Sequence, residues 1–215
     1  MDPAGRPARW LALGDSYTIG EGVEESERWP SVVTAELRLE GLALAVPRVL
    51  ARTGWTTDEL LAAMEREGAW PPGERFALVS LMVGVNDQYR GHTLEAFAAG
   101  FAACLERAIA LAGGEGARVL VVSIPDWGAA PFAAGRDRAA ISHSIDAFNA
   151  RALRMAGERG AHWGDVTALS RAHGANADQF AADGLHPGAP AHGEWARALV
   201  PLARAALAGR APSQL

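Results

Sequence analysis

An α/β fold built on a parallel sheet is predicted by three features of the 215-residue chain. Short apolar runs alternate with longer amphipathic stretches from end to end, the pattern of strands covered on both faces by helices. The most strand-like run, "FALVSLMVG", is continuous rather than alternating and is bounded by glycines, as a central buried strand should be. Two long segments carry apolar residues three and four apart, Leu94, Phe97, Phe101, Leu105 and Ala108 in one, Ile141, Ile145, Phe148, Ala152 and Met155 in the other. Each therefore presents one face to a core.

In chain order, apolar runs predict strands at Arg9 to Leu13, Leu44 to Ala51, Phe76 to Val83 and Arg118 to Ile124, with a weaker fifth at Ala161 to Val166. Amphipathic stretches between them predict helices at Trp29 to Glu40, Thr57 to Glu67, Thr93 to Ala112, Arg138 to Arg159 and Pro190 to Leu207. Thr93 is an N-cap type, and Pro190 falls in a first turn, where a missing N–H costs little. No linker, repeat or low-complexity tract divides the chain. One domain over 1–215 is expected, with residues 1–8 and 209–215 as flexible tails.

The composition, 49% hydrophobic and 21% charged, is that of a globular protein with a real core. A net charge of -5, with basic and acidic residues spread along the chain, gives no footprint for a phosphate backbone, so no nucleic-acid partner is expected. Cys104 is the single cysteine and reads as a small buried hydrophobe, compatible with a reducing compartment. The start, "MDPAGRPARW", holds no signal-type apolar region, and no stretch approaches the roughly 20 apolar residues of a membrane span. A cytoplasmic protein without integral membrane association is expected.

Ligands of an open parallel sheet bind at the carboxyl ends of its strands. The segments leaving those ends are "GDSYTIGEG", "RTGWTTDE", "GVNDQYRG" and "PDWGAAPFAAGRD". Ser16 leaves the first strand in a tight turn; alone it reads as a helix cap, but with a base in reach it is a nucleophile. Of the six histidines, His186 in "ADGLHPG" has an aspartate, Asp183, three residues upstream and a proline after it. A turn of that size can bring the Asp183 carboxylate to one imidazole nitrogen and leave the other facing the serine. Asp183 as a helix N-terminal acid is the alternative. Backbone N–H groups of Ser16 and Gly54, with the Asn86 side-chain amide, are candidate oxyanion donors, although Gly54 and Asn86 also suit plain turns.

Asp15 and Asp87 are expected to bond local backbone and shape their turns. Tyr17, Tyr89, Trp127 and Phe132 are candidate pocket residues, whereas Trp29 and Trp55 read as packing. His92, His143, His162, His173 and His192 have no metal-ligand spacing, so neither a metal nor a cofactor is expected. A nucleotide-binding reading of "GDSYTIGEG" fails on three counts: no G-x-G-x-x-G, no P-loop lysine, and acidic Asp15, Glu21, Glu24 and Glu25, which repel phosphate. Nothing favours a non-catalytic carbohydrate- or protein-binding domain, because every reactive group is present.

The blocks "GDSY" with Ser16, "RTGWTT" with Gly54, "GVND" with Asn86 and "DGLHP" with Asp183 and His186 occur in one order over nearly the whole chain. Together they resemble the SGNH hydrolases, a subgroup of the GDSL esterase and lipase family. The resemblance implies a flavodoxin-like three-layer α/β/α sandwich with a five-stranded parallel sheet, and hydrolysis of carboxylic esters or thioesters through an acyl-enzyme. It also implies a division of roles: Ser16 nucleophile, His186 base then acid, Asp183 its orienter, and Ser16, Gly54 and Asn86 the oxyanion hole. The partner is then a small-molecule acyl ester; carbohydrate O-acetyl esters and lysophospholipids are alternatives that the same mechanism serves. The short loop "PDWGAAPFAAGRD", with two aromatics, points to small or medium acyl groups. Tyr17 stands where the family name has leucine, a place where the pocket wall can differ.

Overall fold

The computed structural model describes residues 6–66, 73–174 and 176–212. Five parallel strands, β1 (Trp10–Gly14), β2 (Arg48–Ala51), β3 (Leu78–Met82), β4 (Val119–Val122) and β5 (His162–Gly164), form one sheet in the order β2-β1-β3-β4-β5. Between and after them run helices α1 (Ser16–Ile19), α2 (Trp29–Leu39), α3 (Thr57–Arg66), α4 (Val85–Tyr89), α5 (Leu94–Leu111), α6 (Arg138–Glu158), α7 (Thr167–His173) and α8 (Ala189–Leu207). Helices α2 and α8 pack on each other, and α3, α5 and α6 form the opposite layer. The expected three-layer α/β/α sandwich is the observed one.

β1, β3 and β4 are buried along their whole length, which is why they read as continuous apolar runs. Register is tight: Leu13 lies opposite Leu50 on one side and Leu81 on the other. The Trp10 indole crosses between strands to donate to Ser80 Oγ at 3.0 Å, so the buried hydroxyl of β3 is satisfied. Phe97 of α5 stacks on Phe148 of α6 with ring centroids 4.6 Å apart, fastening the two predicted apolar faces together.

The strand expected from Leu44 begins only at Arg48. Pro47 has no N–H for a ladder and fixes its own φ, so the run breaks there: Leu44 makes an isolated bridge to Ala8 and Val46 turns outward. Helix α3, expected over Thr57 to Glu67, ends at Arg66, and residue 67 lies outside the described residues. The sequence predicts none of the three short helices α1, α4 and α7, because one or two turns are too few to show a period. Among the described residues no helix is long and apolar enough to cross a membrane.

The order 2-1-3-4-5 reverses direction between β1 and β3. At that point the chains leaving the two strands part to opposite layers and open a crevice. β1 delivers Ser16 to it, and β3 delivers Asn86.

Candidate active site

Gly14 ends β1 where space is tight. A Cβ there would sit 2.1 Å from Thr18 Oγ1 and 2.5 Å from Met82 O, so only glycine lets β1 turn beside β3. Asp15 follows as the N-cap of α1, its carboxylate accepting from Tyr17 N at 3.0 Å, as expected of a turn-shaping residue. Ser16 is thereby the first residue of a helix, where a backbone N–H has no acceptor within the helix and is free to meet a ligand. Burial, with the charge of Asp87 nearby, pushes the Asp15 carboxyl up to about 7 against the hydrogen bond from Tyr17.

The Asp183 to His186 turn closes on itself. Asp183 Oδ1 accepts from Leu185 N at 2.9 Å and from His186 N at 3.0 Å, and Oδ2 lies 2.5 Å from His186 Nδ1. His186 Nε2 lies 2.9 Å from Ser16 Oγ. Burial pushes the Asp183 carboxyl up, but the hydrogen bonds from the His186 ring and from the two amides outweigh it and hold the group below its ordinary value. It therefore stays a carboxylate through the neutral range and favours the tautomer with the proton on Nδ1, in which Nε2 can accept from the serine hydroxyl.

Gly54 and Asn86 meet across the site from this turn. Asn86 Nδ2 donates to Trp55 O at 2.9 Å, which uses one of its two N–H bonds. Gly54 holds φ +86°, a left-handed backbone that favours glycine, although a Cβ would find room. Arg90 donates to Gly54 O at 2.5 Å and pairs with Glu59 at 3.2 Å, bracing the same turn from outside. Asp87 departs from expectation. Its carboxylate reaches not the local backbone but Thr57, thirty residues away, accepting from N at 2.9 Å and Oγ1 at 2.7 Å. Because α4 starts at Val85, Asp87 points inward at the N-terminus of α3, where a carboxylate is favoured, and so ties the Gly54 segment to the Asn86 segment.

The four candidate pocket aromatics divide. Tyr17 is buried under the imidazole, its ring 5.6 Å from His186 and 6.2 Å from Trp195, and burial beside Asp15, Asp183 and Asp126 pushes its phenol strongly up, so it stays neutral. Trp127 is buried and donates to Gln88 at 2.8 Å, while Tyr89 and Phe132 stand at the surface against its edges. A small cavity of about 20 Å³ lies between Tyr17, Trp127, Leu185, Pro187 and Trp195.

Several supports gave no signal in the sequence. Arg171 holds buried Asp126 at 2.7 Å and Asp146 at 2.8 Å, anchoring the loop that carries Trp127. His192 on α8 is fully buried, and its Nδ1 accepts from Trp29 N at 3.3 Å, serving as the cap that Arg28 does not provide for α2. Burial, aided by the charge of His186, brings its pKa down to about 4. A proton there would also set a cation at a helix N-terminus. Among the described residues no cluster of three or more metal-ligating side chains occurs.

A pH dependence of stability follows from two of these groups. For His192 the unfolded chain, near 6.5, takes up a proton before the folded one, near 4, so its contribution is complete above about pH 6.5 and is lost toward pH 4, about 3 kcal/mol in all. Asp15 has the opposite sign: its unfolded carboxyl ionises near 3.8 and its folded one near 7, so stability from it falls as pH rises between those values. The two slopes offset each other in the wild type. In His192→Gln only the second remains, so urea titrations should show the variant gaining on the wild type by up to about 3 kcal/mol between pH 7 and pH 4. An equal difference at both pH values would refute the assignment.

The family model of the GDSL-like lipase/acylhydrolase family matches residues 12–193. No curated protein sequence matches the chain. Among solved structures the chain is similar to TesA (23% identity, 92% of this chain and 99% of that one, TM-score 0.70). It is also similar to a variant of Axe2, an acetyl-xylooligosaccharide esterase from a Geobacillus species (18%, 93% and 95%, TM-score 0.71), and to a lipase/acylhydrolase from Enterococcus faecalis (20%, 97% and 100%, TM-score 0.67). These likenesses establish the shared fold. With the family model spanning every block from β1 to α8, the chain belongs to the GDSL-like lipase/acylhydrolase family and is an SGNH-type carboxylic ester hydrolase.

Proposed function

We propose that the chain, acting as one domain, hydrolyses esters of small to medium acyl groups through an acyl-enzyme on Ser16. The observation that carries this reading is the continuous relay Asp183 Oδ2, His186 Nδ1, His186 Nε2, Ser16 Oγ. In the first step Ser16 Oγ attacks the ester carbonyl as His186 Nε2 takes its proton, and the carbonyl oxygen becomes an oxyanion. The Ser16 and Gly54 amides and the free N–H of Asn86 are the donors aimed at that charge. Collapse breaks the bond to the alcohol oxygen, which leaves with the proton from His186. Water then repeats the sequence: His186 takes its proton, hydroxide adds to the acyl carbon, and Ser16 departs with that proton while the acid is released. Asp183 keeps its charge throughout and holds the imidazole in the tautomer both halves need.

Acyl size is argued from the walls. The loop that carries Trp127 and Phe132 is short and closed by aromatic side chains, which favours a short acyl chain over a long one. A series of 4-nitrophenyl esters from C2 to C12 should therefore peak in kcat/KM at C2 to C6 and fall beyond. Labelling by a fluorophosphonate probe, lost in Ser16→Ala, tests the nucleophile itself. A maximum at C10 or C12, or labelling that survives the substitution, would defeat the reading.

A further inference from the structure

We infer that Arg136 reads substrate charge, and that this hydrolase favours carboxylic esters carrying an anionic group on the part of the molecule that lies against Trp127 and Phe132. The inference rests on Ser16 being the reacting centre.

The Arg136 guanidinium carbon stands over three aromatic rings at once, 5.0 Å from the centroid of Phe132, 5.5 Å from Trp127 and 5.8 Å from Tyr89. All three distances are within cation–π reach, so the flat cation is held against a shelf rather than sweeping through solvent. The shelf is itself fixed: Trp127 is tethered by Gln88, and the preceding Asp126 by Arg171. Arg136 is itself exposed, so the N–H fork of its guanidinium is open to solvent and to a ligand.

That fork has no counter-ion. Arg90, Arg118, Arg171 and Arg204 pair with Glu59, Glu115, Asp126 and Glu40, but among the described residues no carboxylate pairs with Arg136. The adjacent Asp137 is occupied as the cap of α6, accepting from Ala140 N at 3.0 Å. A cation held beside three rings and left without a counter-ion is a recognition element for a carboxylate or similar anion, which can take the fork bidentately.

Its place relates it to the chemistry. Tyr89 lies one helical turn beyond Asn86 on α4, on the same side of the helix. At the other end Phe132 N donates to Gly184 O at 3.0 Å, one residue past Asp183. The shelf thus spans the rim from the oxyanion side to the base side. An uncharged chain laid on these rings would have to displace the guanidinium, whereas an anion adds to it. The chain as a whole, at -5, repels anionic esters, so a single oriented cation at the rim is what would admit one.

The test compares charged and neutral esters in wild type and Arg136→Gln. One arm sets 4-acetoxybenzoate against phenyl acetate, with the charge on the alcohol side. The other sets mono-4-nitrophenyl adipate against 4-nitrophenyl hexanoate, with the charge on the acyl side. The anionic-to-neutral ratio of kcat/KM should fall at least about tenfold in one arm, which identifies the side of the ester that carries the anion. A ratio that stays within about threefold in both arms overturns the proposal. Calorimetric titration of Ser16→Ala with 4-acetoxybenzoate and the adipate ester, with and without Arg136→Gln, reads binding irrespective of turnover. Tenfold weaker binding of one of them in the double variant supports the role of Arg136 even if hydrolysis is undetectable, an outcome that would count against Ser16 alone; equal affinities for both overturn it.

Discussion

Ser16→Ala is expected to lower kcat on 4-nitrophenyl acetate by about 10⁴-fold or more, and adding His186→Ala should cost almost nothing further. The reason is geometric. Nε2 lies 2.9 Å from Oγ, so base and nucleophile act on one proton and removing either removes the same step. What activity survives comes from the oxyanion donors and substrate binding, which both variants keep. KM should move little, because neither side chain binds the ground state strongly. Steady-state kinetics on the two single variants and the double variant check this. Ser16→Ala retaining more than a tenth of the wild-type kcat would remove Ser16 from the mechanism, and independent, multiplying losses would break the relay.

Asn86→Ala should reduce kcat by roughly 10²- to 10³-fold, equivalent to about 3 to 4 kcal/mol of lost oxyanion stabilisation. The competing account makes Asn86 a strap, since its Nδ2 also holds Trp55 O at 2.9 Å. Magnitudes separate the two. Losing one ordinary hydrogen bond costs about 1 kcal/mol of folding stability and acts on every property of the turn alike. A catalytic donor acts on the transition state, so kcat should collapse while the thermal midpoint shifts by only a few degrees. A loss under tenfold in kcat with a clearly lowered midpoint would assign the amide to the turn.

How far the chain could be read depended on how local each cause is. The Asp183 turn was legible because its two amides and its imidazole lie within three residues, and spacing alone brings them together. The central strands were legible because burial on both faces leaves a continuous apolar run. Hydropathy overextends the second strand, since it is blind to the N–H that Pro47 lacks. Local spacing misplaces Asp87 for a related reason: its partners on Thr57 become near only when α3 and α4 come together. The His192 cap, the Asp126–Arg171 pair and the contact of Arg136 with Tyr89 are likewise meetings of distant segments, and no periodicity announces them.

The packing of α8 on α2 has a temporal side. His186 is separated from Ser16 by 170 positions and sits just ahead of α8, while α2 follows the Ser16 turn. Loops of that length close late, after the local helices have formed, because the entropy of joining distant segments must be met before their contacts repay it. The docking of the last helix, secured by His192 on Trp29 and Arg204 on Glu40, is then, on the proposed mechanism, what carries His186 to Ser16. On that mechanism a nascent or partly folded chain, until that helix arrives, would hold Ser16 with no base beside it and turn over few of the esters it meets.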